Sequence, residues 1–188
     1  MNLSDASLVK SALAAERWAE EALYRRHARS VFGLVASMLR DQQDAEDVVQ
    51  DTFITALSEL KHLQNPEAFR PWLMRIAVRK VHRLFRRRKL RRLMGMERSA
   101  GEEFSEFQPK AECPPDVAAT LQELSRHVST LSDNVRMCWT LRYVEGWPLE
   151  DVAQACNCSL ATAKRRIAKA MSHIRAHMVL DIDVGENE

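Results

Sequence analysis

The sequence predicts an all-α protein of two small helical domains joined by a flexible linker, and three observations carry that reading. Five glycines, six prolines and 6% aromatics in 188 residues are too few for a sandwich, a barrel or a Gly-rich nucleotide fold. Apolar residues recur at spacings of three and four along most of the chain. Charge is also blocked. Eleven of the 28 Lys and Arg lie between Arg70 and Arg92 without one acid, whereas Leu93 to Leu121 holds six acids and two bases, together with Gly95, Gly101, Pro109, Pro114 and Pro115. That composition marks 95–114 as a linker between the domains, and its acids are candidates to fold back on a basic helix.

In the first domain, Leu8, Ala12 and Ala15, then Leu23, Tyr24, Ala28, Val31, Phe32, Val35, Met38 and Leu39, give one or two helices with a single buried stripe. Asp41 to Gln43 break the pattern. Asp44 is expected to cap a helix that buries Ala45, Val48, Val49, Phe53, Ala56, Leu57 and Leu60 and shows Glu46, Asp47, Gln50 and Asp51 on its other side. Leu63 to Arg70, with Asn65 and Pro66, reads as a loop. Phe69, Trp72, Leu73, Ile76, Ala77, Val81, Leu84 and Phe85 then mark a long helix that carries the eleven bases on its remaining surface.

Beyond the linker, Val117 to Val128 predicts a short amphipathic helix. Ser132 is placed to cap a second, carrying Val135, Met137, Cys138, Trp139, Leu141 and Val144 up to Gly146. Pro148 opens a short helix to Cys156, Asn157 and Cys158 turn the chain, and Ser159 caps a last helix through His177. A short helix, a tight turn and a longer basic helix (Lys164, Arg165, Arg166, Lys169, Arg175) make a helix-turn-helix, whose second helix can enter a major groove. Leu160, Ala163, Ile167, Ala170 and Ile174 are expected inside, and an acidic tail closes the chain.

The runs Leu23-Tyr24-Arg25-Arg26-His27, Asp44-Ala45-Glu46-Asp47-Val48-Val49-Gln50-Asp51-Thr52-Phe53 and Phe69-Arg70-Pro71-Trp72-Leu73-Met74-Arg75-Ile76-Ala77 resemble region 2 of the extracytoplasmic-function sigma factors of bacterial RNA polymerase. Leu131-Ser132 through Met171 resembles their region 4. The resemblance implies region 2 over 1–94, the linker over 95–114, region 4 over 115–179 and a tail over 180–188. It implies a promoter-specificity subunit that binds core RNA polymerase through the beta-prime clamp helices and the beta flap, opens promoter DNA, and is held by an anti-sigma factor.

Carried onto matching positions, the resemblance places core binding on Asp47, Gln50 and Asp51, minus-ten DNA on Arg75, Arg79, Lys80, Arg83, Arg86 and Arg87, and minus-thirty-five DNA on Thr162, Lys164, Arg165, Arg166 and Lys169. An acidic, amide-bearing helix face suits a basic coiled coil, and clustered Lys and Arg suit phosphates. Two departures stand out. Arg79 and Arg83 occupy positions where the family usually has Asn and Asp, and Arg165 replaces a small polar residue, to hold either a guanine edge or a phosphate.

Other chemistries are weakly supported. No phosphate loop, nucleophile elbow or H-E-x-x-H occurs, and the acids of Asp44 to Asp51 lack the second cluster a metal nuclease requires, so no enzyme is expected. A helix-turn-helix repressor or activator acting without polymerase is the main rival, but no heptad seam is legible. Phe69 and Trp72 fit a core better than base-stacking platforms. Cys156 and Cys158 with Cys113, Cys138 or a histidine offer a zinc or redox site only in principle, since Cys138 and Cys156 fit apolar packing better, and His173 and His177 fit a helix end better than a metal pair. No cofactor and no metal are expected. The absence of an apolar leader, and of any run near the ~20 residues that span a bilayer, predicts a cytoplasmic protein without membrane insertion, held at the membrane only through a partner.

Overall fold

A computed structural model of the chain describes residues 3–39, 41–96 and 114–178, which fall into two compact units. All regular structure among the described residues is helical. The expected linker core and the acidic tail lie outside them.

The first unit packs four helices: α1 (Asp5–Leu13), α2 (Arg17–Met38), α3 (Gln42–Glu59) and α4 (Phe69–Leu93). Ser4 caps α1 by accepting from the Ser7 N–H. The first stripe is split into two helices at Ala15, whose φ of 62° places it in the left-handed region. There the Glu16 N–H bonds the Ser11 carbonyl and the Ala15 N–H bonds that of Ala12, the paired pattern of a Schellman stop. Asp41, not Asp44, caps α3: its carboxylate accepts from the Asp44 N–H at 2.9 Å, and Asp44 sits in the first turn. The expected loop is partly helical, because Asn65 accepts from the Glu67 N–H and starts a 3-10 turn, Pro66–Ala68, that runs straight into α4.

Leu8, Leu23, Val31, Val35, Met38, Phe53, Leu73 and Ile76 form the interior, with Ala19, Ala45, Ala56 and Ala77 at 0% exposure where helices approach closely. Along α4, Phe69, Leu73, Met74, Ile76, Ala77, Val78 and Val81 are buried on one broad side, while Arg70, Pro71, Arg75 and Arg79 stay exposed on the other. After Phe85 only Arg88 is half-buried, and the chain is otherwise exposed to the Schellman stop at Gly95. Tyr24, expected inside, is 47% exposed and lays its ring edge against Phe53, centroids 4.7 Å apart.

The second unit holds α5 (Pro115–Thr130), α6 (Asp133–Trp139), α7 (Leu149–Ala155) and α8 (Leu160–His177). Val128, Leu131, Val135, Trp139, Ala170, Ile174 and Met178 form one apolar cluster. Arg136 is buried beside it and donates to the Leu131 carbonyl at 2.9 Å, the Ser129 carbonyl at 3.3 Å and the Asp133 carboxylate at 2.9 Å, closing the end of α5. The expected single helix to Val144 changes pitch: after Trp139 it widens into a π turn, Thr140–Val144, before Gly146 at φ 69°. The wider turn rotates the side chains beyond it about the helix axis, so Val144 is 58% exposed rather than inward.

Candidate functional site

Asp47, Gln50 and Asp51 are all exposed on one side of α3, because Val48, Val49, Thr52 and Phe53 take the other. They face α4 across an open groove of about 430 Å³ whose far wall includes Lys80, Arg83, Arg87 and Arg91. The residues expected to bind polymerase and half of those expected to bind minus-ten DNA therefore share one groove. Arg75, Arg79 and Arg86 are exposed on α4 but do not line it.

Ion pairs link α3 to α4. Lys80 Nζ lies 3.9 Å from Asp51 Oδ2, and the Arg88 guanidinium pairs with the Asp44 carboxylate. Lys80 is thereby only 19% exposed and directed at α3 rather than outward. Sequence reasoning missed Asp44 and Arg91 as groove residues, and Arg88 as the partner of Asp44; their signal was the opposition of an acidic helix and a basic one across a short connection. Phe69 is fully buried, which removes it as a stacking platform, while Trp72 is half-buried against it with centroids 6.1 Å apart.

His27 and Asp5 join α2 to α1. His27 Nε2 is 2.9 Å from Asp5 Oδ2, an electrostatic contact without hydrogen-bond alignment, and Arg26 donates to Asp5 Oδ1 at 2.7 Å. Partial burial would raise the Asp5 carboxyl, but Arg26 and His27 outweigh it and hold its pKa below the ordinary value.

In the second unit α7 ends in a Schellman motif: Asn157, at φ 48°, bonds Gln154, and the Cys158 N–H bonds the Ala153 carbonyl. Ser159 then caps α8, accepting from the Thr162 N–H. This fixes the turn of a helix-turn-helix. Lys164, Arg165 and Lys169 are exposed on α8, opposite buried Ala163, Ile167 and Ala170. Thr162 is half-buried and its hydroxyl is 2.9 Å from that of Ser159. Leu160, expected inside, is 38% exposed, since the first side chain of a helix tilts back past the packed turns.

Arg166 turns inward, its Nη1 4.0 Å from Cys138 Sγ. Cys138 and Cys156 are both buried, Sγ to Sγ 3.4 Å, and fill the space between α6 and α7. Hydrogen bonding to Cys156, reinforced by Arg166 against the cost of burial, lowers the Cys138 pKa to about 7. The same bond, with burial, pushes Cys156 well above the ordinary thiol range. Cys113 lies outside the described residues.

A bundle with a charged groove and a separate basic helix-turn-helix together define a protein of transcription. Residues 23–91 match the family described as Sigma-70 region 2, and residues 121–174 match Sigma-70, region 4. The RNA polymerase sigma factor CnrH of Cupriavidus metallidurans is 32% identical over 191 residues, covering 97% of this chain and 98% of that protein. The RNA polymerase sigma-H factor of Pseudomonas aeruginosa is 27% identical over 181 residues, covering 90% and 91%. Among solved structures, CnrH in complex with the cytosolic domain of CnrY has a TM-score of 0.57 at 25% identity, over 95% of this chain and 98% of that one. The sigma factor RpoE in complex with the anti-sigma factor NepR from Bartonella quintana shares the fold, with a TM-score of 0.64 at 21% identity, over 86% and 97%.

The chain belongs to the extracytoplasmic-function sigma factors of bacterial RNA polymerase. It is a transcription initiation factor that works with core polymerase at promoter DNA. No helix among the described residues is long and apolar enough to cross a membrane.

Proposed function

We propose that the two walls of the α3–α4 groove divide the work of initiation. Asp47, Gln50 and Asp51 engage the basic clamp helices of the polymerase beta-prime subunit. Arg75, Arg79, Arg83, Arg86 and Arg87 hold the minus-ten region and its separated strand, with Lys80 positioned by Asp51. Lys164, Arg165 and Lys169 at the start of α8, with Thr162 and Arg166 beside them, contact minus-thirty-five DNA, and the beta flap supports this unit. Residues 1–94 act as region 2, 95–114 as the linker, 115–179 as region 4 and 180–188 as a tail.

The observation that carries this reading is the exposure of three polar α3 residues, Asp47, Gln50 and Asp51, on the side opposite the one that packs into the core. Of these three, Lys80 meets only Asp51 closely across the groove, at 3.9 Å, and an acidic, amide-bearing face of this kind suits a basic partner. The protein does no covalent chemistry and acts in the cytoplasm. An anti-sigma factor restrains it by covering these faces, a reading supported by two solved relatives whose structures include NepR or CnrY.

Run-off transcription with purified core polymerase and a promoter library tests this. The expected result is promoter-dependent transcripts that disappear in the triple variant Asp47→Ala, Gln50→Ala, Asp51→Ala while its helicity and duplex binding persist. Transcripts undiminished in the folded triple variant would remove the α3 assignment.

A further inference from the structure

Three histidines distant in sequence meet where α5 and α8 both end. His127 lies in the last turn of α5, and His173 and His177 lie one turn apart near the end of α8. One ring nitrogen from each falls within 4.8 Å of the other two, and the ring centroids are 4.4 to 6.3 Å apart. Sequence spacing brings out only the His173–His177 pair, because His127 comes from another helix.

The neighbouring hydrogen bonds settle which nitrogens are open. His177 Nδ1 lies 2.8 Å from the His173 carbonyl, so it must carry the proton and donate, leaving Nε2 with its lone pair. Thr130 Oγ1 spends its single hydrogen on the His127 carbonyl at 2.8 Å, so toward His173 Nε2, 2.9 Å away, it can only accept. His173 therefore keeps its proton on Nε2 and its lone pair on Nδ1. Glu123, one turn before His127, places a carboxylate oxygen 4.0 Å from that ring's Nε2. A carbonyl, a hydroxyl and a carboxylate each beside one imidazole are the outer partners that orient histidines in metal sites.

We propose that His127, His173 and His177 bind a single divalent transition-metal ion of the borderline class that imidazole prefers, Zn²⁺ foremost, with water completing the shell. Bonds of about 2.0–2.1 Å in a tetrahedral shell need nitrogens about 3.4 Å apart, against separations of up to 4.8 Å here, so the rings turn toward one another on binding, at positions that are half-buried or exposed. The ion straps α5 to α8. This matters because α5 buries only Val128 and Ser129. Of the DNA-facing positions, Lys164 precedes His173 by nine residues, about 14 Å along the helix, whereas Lys169 lies one turn before it. The inference does not depend on the polymerase reading.

The test uses the untagged full-length protein, stripped with a chelator and titrated with Zn²⁺ alone by calorimetry and with Co²⁺ alone by visible absorption. One ion per chain is expected at micromolar or tighter affinity, with a higher melting temperature and a cobalt spectrum free of thiolate charge transfer. His127→Gln and His177→Gln should each weaken binding by about tenfold or more, and circular dichroism should show both variants folded. No binding, a thiolate band that puts the ion on the cysteines, or an affinity untouched by His127→Gln would each overturn the proposal.

Discussion

Asp51 and Lys80 face one another across the α3–α4 groove, carboxylate oxygen to ammonium nitrogen at 3.9 Å. One belongs to the proposed polymerase wall and the other to the proposed DNA wall, so a partner arriving on either side competes for the charge of the other.

Asp51→Ala should therefore separate stability from function. The Asp51 side chain is 68% exposed, and such a pair contributes under about 1 kcal/mol. Thermal melting should move little, while run-off transcription with core polymerase falls several-fold. A matching collapse of the melting temperature would assign Asp51 to the fold instead.

Arg79 and Arg83, both exposed on α4, should act mainly through phosphates. Replacing both by Ala should lower the slope of log promoter affinity against log salt by about 1.4 for single-stranded or 1.8 for duplex contacts. An unchanged slope in holoenzyme binding assays would show that neither arginine touches a phosphate.

Ala15 ends α1 in a conformation that costs an L-residue about 1 kcal/mol. Ala15→Gly should raise stability by up to about that amount, less the added freedom of the unfolded glycine, as read by urea denaturation. Destabilisation by this substitution would contradict the left-handed stop.

Arg136 should be the most damaging single loss in the second unit. Arg136→Met leaves the Leu131 and Ser129 carbonyls without their donor, at a cost of about 3 kcal/mol, and Arg136→Lys, lacking the planar fork, should recover little of it. Differential scanning calorimetry of the full chain reads both.

Thiolate absorbance should reveal one group titrating near pH 7, lost in Cys138→Ala and moved upward in Arg166→Ala. The folded Cys138 pKa is depressed, so the stability it gives is fully present above the ordinary thiol value of 9.0 and is lost as pH falls through about 7. Cys156, shifted the other way, opposes folding once the pH passes the ordinary thiol value. Unfolding of the second unit should thus become harder from pH 7 to 9.0 and easier beyond. A flat profile would break the assignment.

Residues with local chemistry were the easiest to read. Gly95 and Asn157 announced helix ends because few residues tolerate positive φ, and Ser159 announced a cap. Ala15 gave no such sign, so the break between α1 and α2 stayed open. The π turn after Trp139 was equally silent and carried Val144 outward. The exposed triad of α3 was legible because its polar residues fall on the side opposite a continuous apolar stripe. That Lys80 would bend back to Asp51, Arg166 turn toward Cys138, and His127 meet His173 was not, since each depends on which helices become neighbours in space.

The packing of α4 into the bundle along one broad side up to Val81, and its exposure beyond Phe85, makes the helix a cantilever. Its root cannot shift without opening the bundle, so its arginines stand arrayed before any nucleic acid arrives. Little ordering entropy is then left to lose on contact. For promoter DNA held on α4 as proposed above, deformation would fall on the softer component, the duplex.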